Sequence, residues 1–202
     1  MKTIRNLQAD RSAGSNPPSI TFVSGNAGKI AEARLASGLP IEAVEVDLPE
    51  IQSLDVGEIL RAKVDEAFRR LERPVVVEET CLELEALNGF PGPLVKWMLE
   101  AVGAEGIART VQCLGNPRAK ALCLLHYKGR RSELVAFGEV EGTLVLPARG
   151  ANGFGWDPVF QPDGETRTFG ELTPAEKLEK GHRGRAWRHF LELLPHAEKE
   201  DE

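Results

Sequence analysis

The 202-residue chain has few cysteines, no long apolar run and no surplus of positive charge. Cys81, Cys113 and Cys123 are odd in number and lack CxxC spacing, which argues against a disulfide framework or a zinc site. They read as small buried residues of a protein in the reducing cytoplasm. No apolar stretch approaches the roughly 18 residues of a membrane span. Lys and Arg number 25 against 31 Asp and Glu, for a net charge of −6. That balance disfavours a nucleic-acid partner, which needs a basic face. It leaves room for a small anionic ligand where a few lysines converge. Met1 to Ser19 lacks the apolar segment of a signal peptide. Residues 1–18 are therefore expected as a flexible leader, 19–196 as one domain and 197–202 as a charged tail.

What is present reads as mixed α/β with an antiparallel portion and two lobes. Ile20–Val23 predicts a strand, Ser24–Lys29 a turn, and Ile30–Ala36 a helix closed by Gly38. Strand, small-residue turn and helix in that order aim backbone N–H groups at an anion. Leu60, Val64, Ala67, Phe68 and Leu71 recur at helical spacing and lead into a strand at Val75–Val77. Asn88–Pro93 is too rich in Gly and Pro to be regular, and Leu94–Val102 predicts a short helix. Ala119–Tyr127 and Glu133–Val140 predict a hairpin, with a further strand at Leu144–Leu146. Pro147–Asp157 reads as a glycine-studded loop. Thr173-Pro174-Ala175-Glu176 has capping-box spacing, and a last helix carries Trp187, Phe190, Leu191 and Leu194.

Three groups of residues carry chemistry. Val75-Val76-Val77-Glu78-Glu79 brings two carboxylates to the expected end of a strand, where charge is costly unless it meets a cleft, a metal or a partner. If the strand continues, the two point to opposite faces and do not share a role. Glu50 would add a hard oxygen ligand, although such a residue alone is more often a solvated loop charge. Ser24–Lys29 lacks the spacing of a Walker A loop. It leaves a compact turn in which Lys29 and Glu32 share a helical face, as a ligand site or as a plain surface ion pair. In the third group, Phe154 and Trp156 could sandwich a flat base, with Asp157 and Arg183 on its edges. The alternative makes both aromatics core residues and His182 a helix cap.

These segments also resemble a known family. Ser24-Gly25-Asn26-Ala27-Gly28-Lys29-Ile30-Ala31-Glu32, Leu48-Pro49-Glu50-Ile51-Gln52-Ser53, Val77-Glu78-Glu79-Thr80-Cys81-Leu82 and Gly89-Phe90-Pro91-Gly92-Pro93-Leu94-Val95-Lys96-Trp97 stand in one order. Gly153-Phe154-Gly155-Trp156-Asp157-Pro158-Val159-Phe160, Glu176-Lys177 and His182-Arg183 follow. Together they resemble the inosine triphosphate pyrophosphatase family, across residues 19–195 or so.

The resemblance implies an elongated mixed sheet with flanking helices in two lobes, a cleft between the lobes, and a homodimer. It implies hydrolysis of ITP, dITP and XTP to monophosphate and pyrophosphate with magnesium, or manganese as substitute. Ser24, Gly25, Asn26, Ala27, Gly28 and Lys29 would cradle the triphosphate, joined by Lys63, Thr80 and Lys96. Glu50 and Glu79 would hold the metal, with Glu79 also the base for the attacking water and Lys29 the principal catalytic charge. Phe154, Gly155, Trp156, Asp157 and Lys177 would line the base pocket. His182 and Arg183 would read the 6-oxo group, whereas guanine would have to be refused on its 2-amino side. The chain departs from the family pattern at Glu79, where Asp is usual, and at Gly181, where Ser is usual. The longer Glu79 arm opens a second reading, a nucleotide-binding protein with weak or altered hydrolysis. A third reading keeps the chemistry but changes the base, for example towards canonical nucleotides.

Overall fold

The computed structural model describes residues 19–201, and side chains as far as Pro195. The expected leader and the side chains of the expected tail lie outside the described residues, although a helical backbone continues through the tail to Asp201. In chain order the elements are β1 (Ile20–Val23), α1 (Ala27–Ser37), β2 (Ile41–Val44), α2 (Val56–Leu71), β3 (Val75–Leu84) and β4 (Pro91–Gly92). There follow α3 (Val95–Cys113), β5 (Arg118–Lys128), β6 (Glu133–Leu144), β7 (Phe160–Pro162), α4 (Pro174–Lys180) and α5 (His182–Asp201). The sheet order is β2-β1-β3-β5-β6-β7, with β4 on β3. Pairing is parallel among β2, β1 and β3 and antiparallel from β3 through β5 and β6 to β7.

The strand expected to end at Glu78-Glu79 does not end there. β3 pairs with β5 continuously from Val75 opposite Lys128 to Leu84 opposite Ala119. Cys81, Leu82 and Leu84 are buried and keep apolar surface on the strand past the two carboxylates. It is β1 that stops, its last pair being Val23 with Val77.

Alternation then assigns helices to faces. Val76 packs with Phe22, Ala33 of α1, and Ala186, Trp187 and Phe190 of α5. Val75 and Val77 point the other way, onto Leu60, Val64 and Ala67 of α2. Farther along, Leu82 and Leu84 meet Ile107 and Val111 of α3 together with Trp156, Phe160, Phe169 and Leu172. The long strands thus run through two lobes.

Four further expectations shift. Helix α1 begins at Ala27 because the Asn26 side chain caps it, accepting from the Lys29 N–H at 3.0 Å. Helix α3 continues beyond Val102, turning at Gly103 (φ 70°). Leu144 closes β6 rather than opening a strand of its own. Strand β2 is half-buried, carries no apolar run, and was not expected. Cys81 and Cys123 are buried as anticipated, but Cys113 is exposed at the end of α3.

Candidate active site

Where β1 stops and β3 runs on, the sheet leaves a crevice at the carboxyl ends of its parallel strands. A cleft of about 1380 Å³ opens there, walled by the Ser24–Asn26 turn, the segment 45–52, the start of α3, the loop before β7 and the α4–α5 junction. Of the expected site residues, all but Ala27 and Gly28 line it. Gly28 lies under the Phe154 ring and borders a neighbouring hollow of about 210 Å³.

The two-residue period of β3 sends Glu78 under α1 and α5, and Glu79 under α2. Glu78 is 1% exposed along its side chain. Arg183 donates to it from Nε at 3.1 and 3.0 Å and from Nη2 at 3.0 Å. Lys29 Nζ stands 3.5 Å from the same carboxylate. Burial alone pushes this carboxyl up, but the Arg183 and Lys29 charges outweigh it and hold the pKa below the ordinary 4.5.

Arg183 also donates from Nη1 to Glu32. Lys177 Nζ bridges Glu32 at 2.7 Å and Asp157 at 2.6 Å. Lys29, Glu78, Arg183, Glu32, Lys177 and Asp157 therefore form a chain of alternating charge with as many cations as anions. Each buried charge keeps a partner, which is the condition for burying it at all. The expected Lys29–Glu32 pair does not form, because each side chain finds a more deeply buried partner. Glu78 and Glu32 stand out in the sequence as candidates, but their buried pairing with Arg183 and Lys177 does not. The only sequence signals were the alternation through Val76 and Glu78 and the spacing of Lys29 and Glu32.

Asp157 accepts the Phe154 N–H at 2.6 Å as well as Lys177, so it braces the loop from within. Burial raises its pKa above 3.8, and Lys177 pulls it partly back. Phe154 is half-buried and lies over the cations, its ring centroid 4.9 Å from Lys177 Nζ and 5.4 Å from Arg183 Cζ. Trp156 is 7% exposed and engages Phe160 and His182, each at 5.3 Å. It is a wall of the core, whereas the half-buried Phe154 and the exposed Trp97 also line the cleft.

His182 is buried, and its Nδ1 has no hydrogen-bond partner. Burial first, then the charges of Arg183 and Lys177, pushes its pKa well below 6.5, so the ring is neutral at neutral pH. Two glycines bring His182 and Arg183 to this point. A Cβ at Gly138 would stand 2.3 Å from the His182 carbonyl oxygen, so the first turn of α5 rests directly on β6. A Cβ at Gly181 would stand 2.4 Å from the Lys177 carbonyl oxygen, which accepts the Gly181 N–H at 2.7 Å. The tight α4–α5 junction has no room for the serine of the family pattern.

On the opposite face, Glu79 is ion-paired with Lys63, both side chains 16% exposed. Glu50 pairs with Lys96 at 3.1 Å, and Lys96 also lies 5.0 Å from the Trp97 ring centroid. Among the described residues, no three His, Cys, Asp or Glu side chains cluster as a ready metal cage. Magnesium commonly takes one or two carboxylates with substrate phosphates and waters. Glu79 and Glu50 both line the cleft, each held by a lysine.

Fold and site define a two-lobed mixed α/β protein with a lysine-rich cleft at the ends of its parallel strands. The chain belongs to the Ham1 family, whose model matches residues 20–193. It is 40% identical over 180 residues to an inosine triphosphate pyrophosphatase of Schizosaccharomyces pombe, covering 86% of this chain and 95% of that protein. It is 38% identical over 177 residues to a dITP/XTP pyrophosphatase of Methanopyrus kandleri, covering 86% and 94%. Among solved structures, a HAM1 protein from Coxiella burnetii superposes with a TM-score of 0.76 at 26% identity, covering 89% of this chain and 99% of that one. The Staphylococcus aureus Ham1 protein gives 0.73, with the same identity and coverage.

Proposed function

We propose that the chain hydrolyses deaminated purine nucleoside triphosphates such as ITP, dITP and XTP, releasing the monophosphate and pyrophosphate. The observation that carries this reading is the convergence on one cleft of Lys29, Lys63 and Lys96 with Glu50, Glu79 and the half-buried Phe154. The names of the relatives in fission yeast and in Methanopyrus support it, and they favour hydrolysis over binding alone.

In this reading the triphosphate lies along the Ser24–Lys29 turn and the lysines, with the base against Phe154. Glu79 takes the proton of the water that attacks the α-phosphorus. Lys29, Lys63 and Lys96 stabilise the charge that grows on the leaving pyrophosphate. Magnesium, or manganese in its place, would be held by Glu79 and Glu50 and would neutralise phosphate charge. Arg183 and His182 face the 6-position of the base. A guanidinium only donates, so it pairs with a 6-oxo oxygen and has nothing to offer a 6-amino group.

We also infer a homodimer and a cytoplasmic location. The first draws on the family resemblance and on Val135 and Phe137, 47% and 53% exposed on β6. The second draws on the three free cysteines. No helix among the described residues is long and apolar enough to cross a membrane. Pyrophosphate release from dITP, XTP, dATP, dGTP and dTTP, with and without magnesium, tests the reading. Preference for dITP and XTP is expected, and preference for dTTP would overturn it.

A further inference from the structure

Both carboxylates assigned to the metal are already occupied by lysines. Glu79 and Lys63 are paired within a partly buried wall of the cleft. Glu50 and Lys96 are paired at 3.1 Å in a more open position, their side chains 51% and 56% exposed. An ammonium in contact takes up carboxylate lone pairs and repels a second cation. No third acidic, histidine or cysteine ligand gathers among the described residues to offset this. Lysine, however, is a point charge on a flexible stem, able to turn from a carboxylate to another anion nearby.

We propose that Lys63 and Lys96 are resident counter-ions that exclude a divalent cation from the substrate-free cleft. They release Glu79 and Glu50 only when the cation arrives with a triphosphate. The phosphates draw the two ammonium groups away, and the freed carboxylates take the cation. Metal and nucleotide therefore enter as one complex, and the cleft does not load metal first. The inference deepens the proposed function and rests on it.

Manganese is a suitable probe, because its free ion is read directly by electron paramagnetic resonance. The intact chain without nucleotide is expected to leave millimolar manganese free. A non-hydrolysable dITP analogue is expected to bring one manganese onto each chain. Lys63→Met should bind manganese without nucleotide at least about tenfold more tightly than the wild type, since a repelling charge is gone. Lys63→Arg should keep the metal out. Lys96→Met, at the more exposed pair, should give a smaller gain and serves should Lys63→Met fail to fold by circular dichroism. Tight manganese binding by the nucleotide-free wild type, or unchanged affinity in folded Lys63→Met and Lys96→Met, overturns the proposal. Failure of the analogue to bind, with no dITP turnover, overturns the nucleotide reading instead, and the nucleotide-free titrations still decide the exclusion.

Discussion

Glu78 and Arg183 stand 105 residues apart in the chain and face each other in a buried, forked ion pair at 3.0 to 3.1 Å. That pair ties the centre of β3 to the first turn of α5 and sets the floor of the cleft.

Removing one partner should cost far more than a surface ion pair. Glu78→Ala leaves Arg183 buried, with Glu32 as its remaining acid, and is expected to destabilise the fold by about 3–5 kcal/mol. Urea unfolding of wild type and variant measures this. A loss below about 1 kcal/mol would make the pair peripheral to stability.

Its neighbour should behave differently, because Glu79 faces α2 and the cleft. Glu79→Gln is expected to keep the fold and nucleotide affinity while turnover falls by roughly 10²–10⁴-fold. Steady-state kinetics beside equilibrium binding of a dITP analogue separates the two effects. Unchanged turnover would remove Glu79 from the chemistry.

The two aromatics of the Gly153–Asp157 loop should divide by role. Phe154→Ala is expected to weaken nucleotide binding by about 1–3 kcal/mol, the usual worth of a base stacked on a ring, with little change in Tm. Trp156→Ala should cost about 3–5 kcal/mol of stability through the cavity it leaves. Binding and thermal melts of both variants decide. The reverse pattern would exchange their assignments.

Stability should fall as the solution is acidified below about pH 6.5, before carboxylates titrate. The folded-state pKa of His182 is depressed, so its contribution is complete above the unfolded value of 6.5. It is lost as pH falls, because the unfolded chain gains a proton that the folded one refuses. His126, also depressed chiefly by burial, adds to the same window. Thermal melts from pH 7.5 to 5 should show the decline, and His182→Asn should flatten part of it. Parallel curves would indicate that His182 protonates in the folded state.

The motifs that line the cleft were legible as segments, and the capped α4 start and the β5–β6 hairpin came directly from local pattern. What escaped was long-range. Nothing in Glu32 reveals that it will bridge Lys177 and Arg183, and nothing in Glu78 reveals Arg183, since these partners meet only when α5 lies on the sheet. The end assigned to β3 was misplaced for a related reason. Two consecutive charges look like a strand end, but here each is neutralised from its own side by a helix. Strand β2 escaped because a half-buried edge strand needs no apolar run.

The position of water attack is tested by hydrolysing dITP with magnesium in ¹⁸O-labelled water and weighing the products. Label in dIMP, with unlabelled pyrophosphate, is the expected outcome of attack at the α-phosphorus. Label in pyrophosphate, or release of orthophosphate from intact dITP, would contradict it.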